Sequence, residues 1–127
     1  MRYLLDTQVL IWYLEDSENI PIHIKKLITN EKNSKYVCSA SLWEITIKIK
    51  LNKLKLSFDL STLYQKIHAI NIPIIDIRER HLLMYKAIDF FHKDPFDRLI
   101  ISTAKADNIA LITSDKIIHK YNISTIW

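Results

Sequence analysis

Arg2-Tyr3-Leu4-Leu5-Asp6-Thr7-Gln8-Val9-Leu10-Ile11-Trp12-Tyr13-Leu14 sets the pattern that the rest of the chain repeats. Arg2 to Leu5 reads as a short apolar strand, and Asp6 ends it. From Thr7 the spacing changes, with Leu10, Ile11 and Leu14 on one side of a helix. A strand that passes directly into a helix, with an acid at the seam, is the unit of a parallel α/β sheet.

The same alternation runs outward from this stretch. After the polar loop Glu15 to Asn19, Pro21 suits the first turn of a helix to about Asn30. Lys35 to Ser39 reads as a second strand. Ser41-Leu42-Trp43-Glu44 has capping-box spacing and is expected to open a third helix. Residues 48 to 56 alternate polar and apolar side chains, which would suit a strand, but the start signal and a turn at Asn52 favour a helix to about Leu51. A helix over Asp59 to Ile70 precedes a strand over Ile72 to Ile75, where Pro73 implies an irregular or edge position. Arg78 to Phe91 is expected to be helical, and Asp94-Pro95-Phe96-Asp97 to start a helix reaching about Asp107. A strand over Ala110 to Thr113, a short helix after Asp115 and a strand over Ile123 to Ile126 complete the pattern. The expected fold class is α/β: a three-layer sandwich with a mostly parallel central sheet, in one domain spanning residues 1–127.

Composition narrows the function classes. The chain is 49% hydrophobic and 25% charged, which excludes a disordered chain. No run reaches the ~18 apolar residues of a membrane span, and Asp6 interrupts the first apolar run before it resembles a signal peptide. A single cysteine, Cys38, cannot form an internal disulfide and reads as a small buried hydrophobe. The cytoplasm is the expected compartment. A net charge of +4 permits an anionic partner, the more so if acids gather in one pocket and leave the remaining surface basic. The chain has no glycine, so positive-φ turns fall to Asn and Asp; Asn30, Asn52, Asn71, Asn108 and Asn122 stand where such turns are expected.

The acids carry the chemistry. Asp6 follows the first strand, Asp115 follows the strand at Ala110 to Thr113, Glu44 lies one turn into the helix after the second strand, and Asp97 lies in the first turn of another helix. In a parallel sheet, strand ends and the starts of the following helices share one edge, where sites form. Carboxylates gathered there repel one another unless cations intervene, and Mg²⁺ or Mn²⁺ prefers such oxygen donors. Each acid also has a structural explanation: Asp6 as a strand terminator, Glu44 as the back-reaching acid of a capping box, Asp94 as the N-cap before Pro95, Asp97 as a favourable dipole partner, Asp115 as a cap.

With these segments in view, the chain resembles the PIN-domain proteins, and among them the VapC-type toxins of bacterial toxin–antitoxin pairs. The resemblance rests on Leu4-Leu5-Asp6-Thr7 with Trp12, on Ser39-Ala40-Ser41-Leu42-Trp43-Glu44-Ile45 with Ile47-Lys48, on His92 to Ile100, on Leu111-Ile112-Thr113-Ser114-Asp115, and on Trp127. His92-Lys93-Asp94-Pro95-Phe96-Asp97-Arg98-Leu99-Ile100 is the most specific of these. The resemblance implies a single PIN-like domain and an endoribonuclease dependent on Mg²⁺ or Mn²⁺, with Asp6, Glu44, Asp97 and Asp115 as catalytic metal-binding acids. Thr7 and Thr113 match hydroxyl positions that orient a carboxylate or a metal water. Asp94 matches a subfamily position, and Arg98 a basic residue that contacts phosphate or pairs with Asp94. RNA, commonly tRNA, is the implied substrate, an antitoxin that blocks the site the implied partner, and a homodimer the implied assembly. The resemblance departs at Asn52 and Asn108, where glycine is frequent.

The remaining signals are weaker. Trp12, Trp43 and Trp127 read as core or interface residues before base-stacking ones. Lys48, Lys50, Lys53 and Lys55 read as a solvated face, or as a stripe that follows phosphates, and His92 as a loop residue near the site. His23, His68, His81 and His119 show no ligand spacing. Two other functions suit the pattern less well. One is a binding module that acts mainly as an antitoxin's partner in an operator-bound repressor; the other is a phospho-acceptor domain.

Overall fold

In the computed structural model, which describes residues 1–127, β1 (Arg2–Leu5) is the middle strand of a five-stranded sheet. Its neighbours are β2 (Ser34–Cys38) and β4 (Ala110–Ile112), and β3 (Ile74–Ile75) and β5 (Thr125–Ile126) form the edges, in the order β3-β2-β1-β4-β5. Every pairing is parallel. The register sets Leu5 beside Val37 on one side and Ile112 on the other, so three strands end level with one another.

Side-chain alternation along β1 builds two cores. Tyr3 and Leu5 face one layer with Val37 and Ile112, where α1 (Thr7–Leu14), α2 (Ile22–Thr29) and α4 (Leu60–Ala69) supply Leu10, Ile24, Ile28, Leu63 and Ile67. Leu4 faces the other layer with Cys38 and Leu111, where α6 (Pro95–Ala106) supplies Ile100, Ile101 and Ala104. Helix α3 (Ser39–Lys50) bridges the layers, sending Leu42 and Ile45 to the first and Ala40 to the second. Helix α5 (Glu79–Ala87) lies against α6. His81, fully buried in it, accepts the Arg78 amide at Nδ1 and therefore donates from Nε2 to Asp107 at 3.0 Å. The architecture is the three-layer parallel sandwich that the alternation implies. No helix is long and apolar enough to cross a membrane.

Most helix boundaries fall where periodicity and caps put them, and Pro73 leads into an edge strand as expected, but the strands expected over Ile72 to Ile75 and Ile123 to Ile126 shrink to the edge pairs Ile74–Ile75 and Thr125–Ile126. Three further expectations are corrected. Helix α3 starts two residues before Ser41, with Cys38 as N-cap, so Ser41 and Glu44 form no capping box. The buried Ser41 hydroxyl instead receives the Thr7 hydroxyl at 2.8 Å and ties α1 to α3. The helix expected over Arg78 to Phe91 stops at Ala87, because Ile88 turns extended and buries its side chain in the second core.

The third correction concerns the turns. Positive φ occurs at Asp16, Asn52, Asn71, Asn108 and Asn122, whereas Asn30 keeps a negative φ of −67° and ends α2 in extended backbone. Four of the five expected asparagines thus take glycine's place, and an aspartate takes the fifth. Asn108 is exposed and has no side-chain partner, so its conformation is its whole contribution. Asn108→Ala is expected to lower the unfolding free energy by ~1 kcal/mol, and Asn108→Gly to change it by less than ~0.5 kcal/mol; urea unfolding midpoints measure both.

Candidate active site

Asp6 leaves β1 at its carboxyl end and caps α1. Its Oδ1 accepts the Thr7 amide at 2.8 Å, and its Oδ2 accepts the Thr113 hydroxyl at 2.7 Å. Thr113 in turn accepts the Asp115 amide at 3.1 Å, so the ends of β1 and β4 are laced through one hydroxyl. Glu44 reaches the same edge from the second turn of α3, and Asp97 from the first turn of α6. Asp6, Glu44, Asp94 and Asp97 line one cleft of about 330 Å³, together with Thr7, Lys48 and Lys53. A larger depression of about 480 Å³ lies by the opposite edge, near the start of β2; Glu31 is the only acid in its lining.

The carboxylates sit in unlike surroundings. Glu44 is only 5% exposed; its Oε2 accepts Lys48 Nζ at 2.7 Å, while its Oε1 is buried and has no partner. Asp94 is the N-cap of α6, accepting the amides of Phe96 at 2.8 Å and Asp97 at 3.1 Å. Asp97 accepts no hydrogen bond at its carboxylate. Burial first, and then the negative charges of Asp94, Asp6 and Glu44, push its pKa up to about 7. Burial also raises Asp6, although the bonds from Thr113 and Thr7 oppose it. Lys48 is held above its ordinary value, chiefly by its hydrogen bond to Glu44, with Asp94 and Asp97 adding to the pull.

Asp115 stands apart from the cleft. Its Oδ1 caps the 3-10 helix Lys116–Tyr121 through the Ile117 amide, and its Oδ2 meets His92 Nε2 at 2.7 Å. The tautomer of His92 follows from counting. The Tyr121 hydroxyl accepts the amides of Phe91 and His92, which fill both its lone pairs, so its own proton goes to His92 Nδ1. His92 therefore donates from Nε2 to Asp115. His92 is no idle loop residue: it fixes the last of the four acids. Nothing local in the sequence marks this role, because Tyr121, the residue that orients the ring, lies 29 positions further on.

Arg98 overturns both readings offered for it. The residue is 4% exposed and turns away from the cleft, its guanidinium donating to the carbonyls of Tyr85 and Asp89 at 3.0 Å each. The rings of Tyr85 and Phe90 flank it at 4.7 and 4.6 Å. Arg98 neither faces phosphate nor pairs with Asp94; it satisfies carbonyls that the early end of α5 leaves open. Thr7 likewise does not orient a carboxylate with its hydroxyl, which goes to Ser41. Trp12 packs on Trp127 at 5.8 Å, and Trp43, 60% exposed, meets Phe96 edge-on at 5.3 Å beside the acidic cleft.

The fold and edge define a class: a parallel α/β sandwich with carboxylates collected at the carboxyl ends of its strands. The PIN domain family model matches residues 3–123, and the chain belongs to the PIN-domain family. Among solved structures it is similar to VapBC2 from Rickettsia felis bound to a DNA fragment from their promoter, with 18% identity over 99% of this chain and 98% of that one and a TM-score of 0.73. It is also similar to VapBC-1 from nontypeable Haemophilus influenzae, with 19% identity over 99% and 97% and a TM-score of 0.66. FitAcB from Neisseria gonorrhoeae gives 18% identity over 98% and 96% and a TM-score of 0.65. Comparison with curated protein sequences finds no match.

The donor set suits a hard divalent cation, being carboxylate oxygen throughout, and Glu44 Oε1 is a buried acceptor without a donor. As they stand, no three acidic, histidine or cysteine side chains are grouped closely enough to hold one ion.

Two outcomes follow from this geometry. An unfolded chain releases the Asp97 proton near 3.8, whereas the folded one keeps it to about 7. The folded state binds more protons in that window, so stability without metal falls as pH rises through it. Asp97→Asn is therefore expected to be more stable than the parent in EDTA at about pH 8, by ~1–2 kcal/mol after allowance for solvent screening, with a smaller difference at about pH 5. Equal urea midpoints at the higher pH would refute it. Arg98→Lys, which cannot bridge two carbonyls between two rings, is expected to cost ~2–3 kcal/mol in the same measurement.

Proposed function

We propose that this PIN domain is a metal-dependent endoribonuclease, the toxin component of a toxin–antitoxin pair, and that Asp6, Glu44, Asp97 and Asp115 form its active site with Mg²⁺ or Mn²⁺. The observation that carries the reading is the open Oε1 of Glu44, a buried acceptor without a donor, beside an Asp97 whose carboxyl is crowded by three other acids. Such an arrangement is costly in a protein that has no use for a cation there.

In this reading Asp6, Glu44 and Asp97 would hold the ion, and Asp115 would contribute from the far side, where its charge already acts on Asp6. A divalent ion there would activate water and offset charge on a phosphodiester oxygen. The chain's own residues set the stage. Thr113 and the Thr7 amide fix both oxygens of Asp6, leaving it one orientation. His92 and the Ile117 amide do the same for Asp115. Asp97, which no donor in the protein engages, keeps its oxygens free for the ion. Lys53 on the rim of the cleft supplies positive charge for phosphate, consistent with the net charge of +4.

The partners follow the likeness. VapBC2 was solved bound to a DNA fragment from its promoter, which supports a two-component assembly for this chain too. The proposed partner is an antitoxin whose segment covers the acidic cleft, the proposed assembly a homodimer, and the proposed compartment the cytoplasm.

Purified, antitoxin-free protein is expected to cut RNA internally in Mg²⁺ or Mn²⁺ and to stop in excess EDTA. Asp6→Asn and Asp97→Asn are each expected to lower the cleavage rate by ~10²-fold or more while circular dichroism stays unchanged. Full cleavage in EDTA, or in either variant, would refute the reading. Absence of cleavage by the parent, with tight antitoxin binding, would favour a binding module instead.

A further inference from the structure

Lys48 is the residue that the proposed function leaves unexplained. It sits one turn after Glu44 on α3, its Nζ lies 2.7 Å from Glu44 Oε2, and its side chain is 46% exposed while that of Glu44 is 6% exposed. Glu44 is thus a buried carboxylate whose one partner comes in from solvent. Lys48 lines the same cleft as Asp6, Asp94 and Asp97, and the latter two add to the attraction on its ammonium. Lys53 lines the cleft as well but makes no ion pair there.

A monovalent ammonium on Glu44 does for the metal-free edge part of what a divalent ion would do for the loaded one: it lowers the repulsion among the acids. The two cations cannot both do so. An ion bound at the unpartnered Oε1 of Glu44 would stand within a few ångströms of the Nζ held on Oε2 and be repelled by it. The lysine stem is long, flexible and half exposed, so it can swing out without disturbing α3.

We propose that Lys48 is a built-in competitor for the metal: its ammonium balances the charge of Glu44 in the ion's stead, and loading proceeds by displacing it. This rests on the metal-site reading above. Lys48 then sets how much free metal the protein needs before the acids are loaded, and holds the edge together when metal is scarce.

Manganese titration of EDTA-stripped protein, read as the loss of the free Mn²⁺ electron paramagnetic resonance signal, tests this without reference to cleavage. Lys48→Met is expected to bind Mn²⁺ about tenfold more tightly than the parent, equivalent to ~1.4 kcal/mol. Lys48→Gln, which keeps a donor for Glu44 but no charge, is expected to shift the same way and serves if the methionine variant does not fold. Lys53→Met removes the same charge from the cleft without touching an acid, and its affinity is expected to stay within about twofold of the parent's. Unchanged or weaker affinity in both Lys48 variants would overturn the proposal, as would an equal gain in Lys53→Met, since either leaves no role for the specific pair. A parent protein that takes up no Mn²⁺ at all would overturn the metal-site reading together with it.

Discussion

Three strands that end level with one another force Asp6, Glu44 and Asp97 onto one edge, and the repulsion among them is the constraint to which the surrounding residues respond. Burial adds to it, because the same layers that keep the sheet dry also strip water from the carboxylates. Each acid meets this in its own way. Asp6 takes a hydroxyl and an amide, Glu44 a lysine, Asp115 a histidine and an amide, and Asp97 keeps its proton until near neutrality. The acid with no donor is also the one whose charged form is least favoured.

These arrangements divide the edge into fixed and movable parts. Asp6 and Asp115 are held by groups that belong to the sheet ends and their caps, and both are tied to Thr113. Glu44 is held by a side chain that reaches in from solvent, and Asp97 by none. A cation arriving at the cleft meets one rigid wall and one adjustable wall.

Much of this was legible in the sequence because it is local. Strand positions, the helix after each strand, the caps at Asp94 and Asp115, and most of the asparagine turns depend on residues a few positions apart, where periodicity and turn chemistry speak directly. The placement of the acids was legible because a parallel sheet leaves little choice of edge. What was not legible depends on pairs far apart in the chain. Arg98 finds carbonyls 9 and 13 residues earlier, and only the early end of α5 creates that need. The capping-box spacing at Ser41 and Glu44 was genuine, but the helix began sooner, so a tertiary bond to Thr7 claimed Ser41 and the ion pair with Lys48 one turn on claimed Glu44. Lys48 itself looked like one lysine among several, and only the burial of Glu44 singles it out.

The hydroxyl that laces Asp6 to β4 joins residues 107 positions apart. The central strand therefore leaves the ribosome well before its second neighbour and the partner of its acid. Until residues 110–113 emerge, β1 has only β2 beside it and Asp6 lacks its fixed orientation. Whatever chemistry the acidic edge performs, a nascent chain cannot perform it early. For a protein of the proposed activity, synthesis itself would be the first safeguard, since the assembly line is made of the very polymer it would cut.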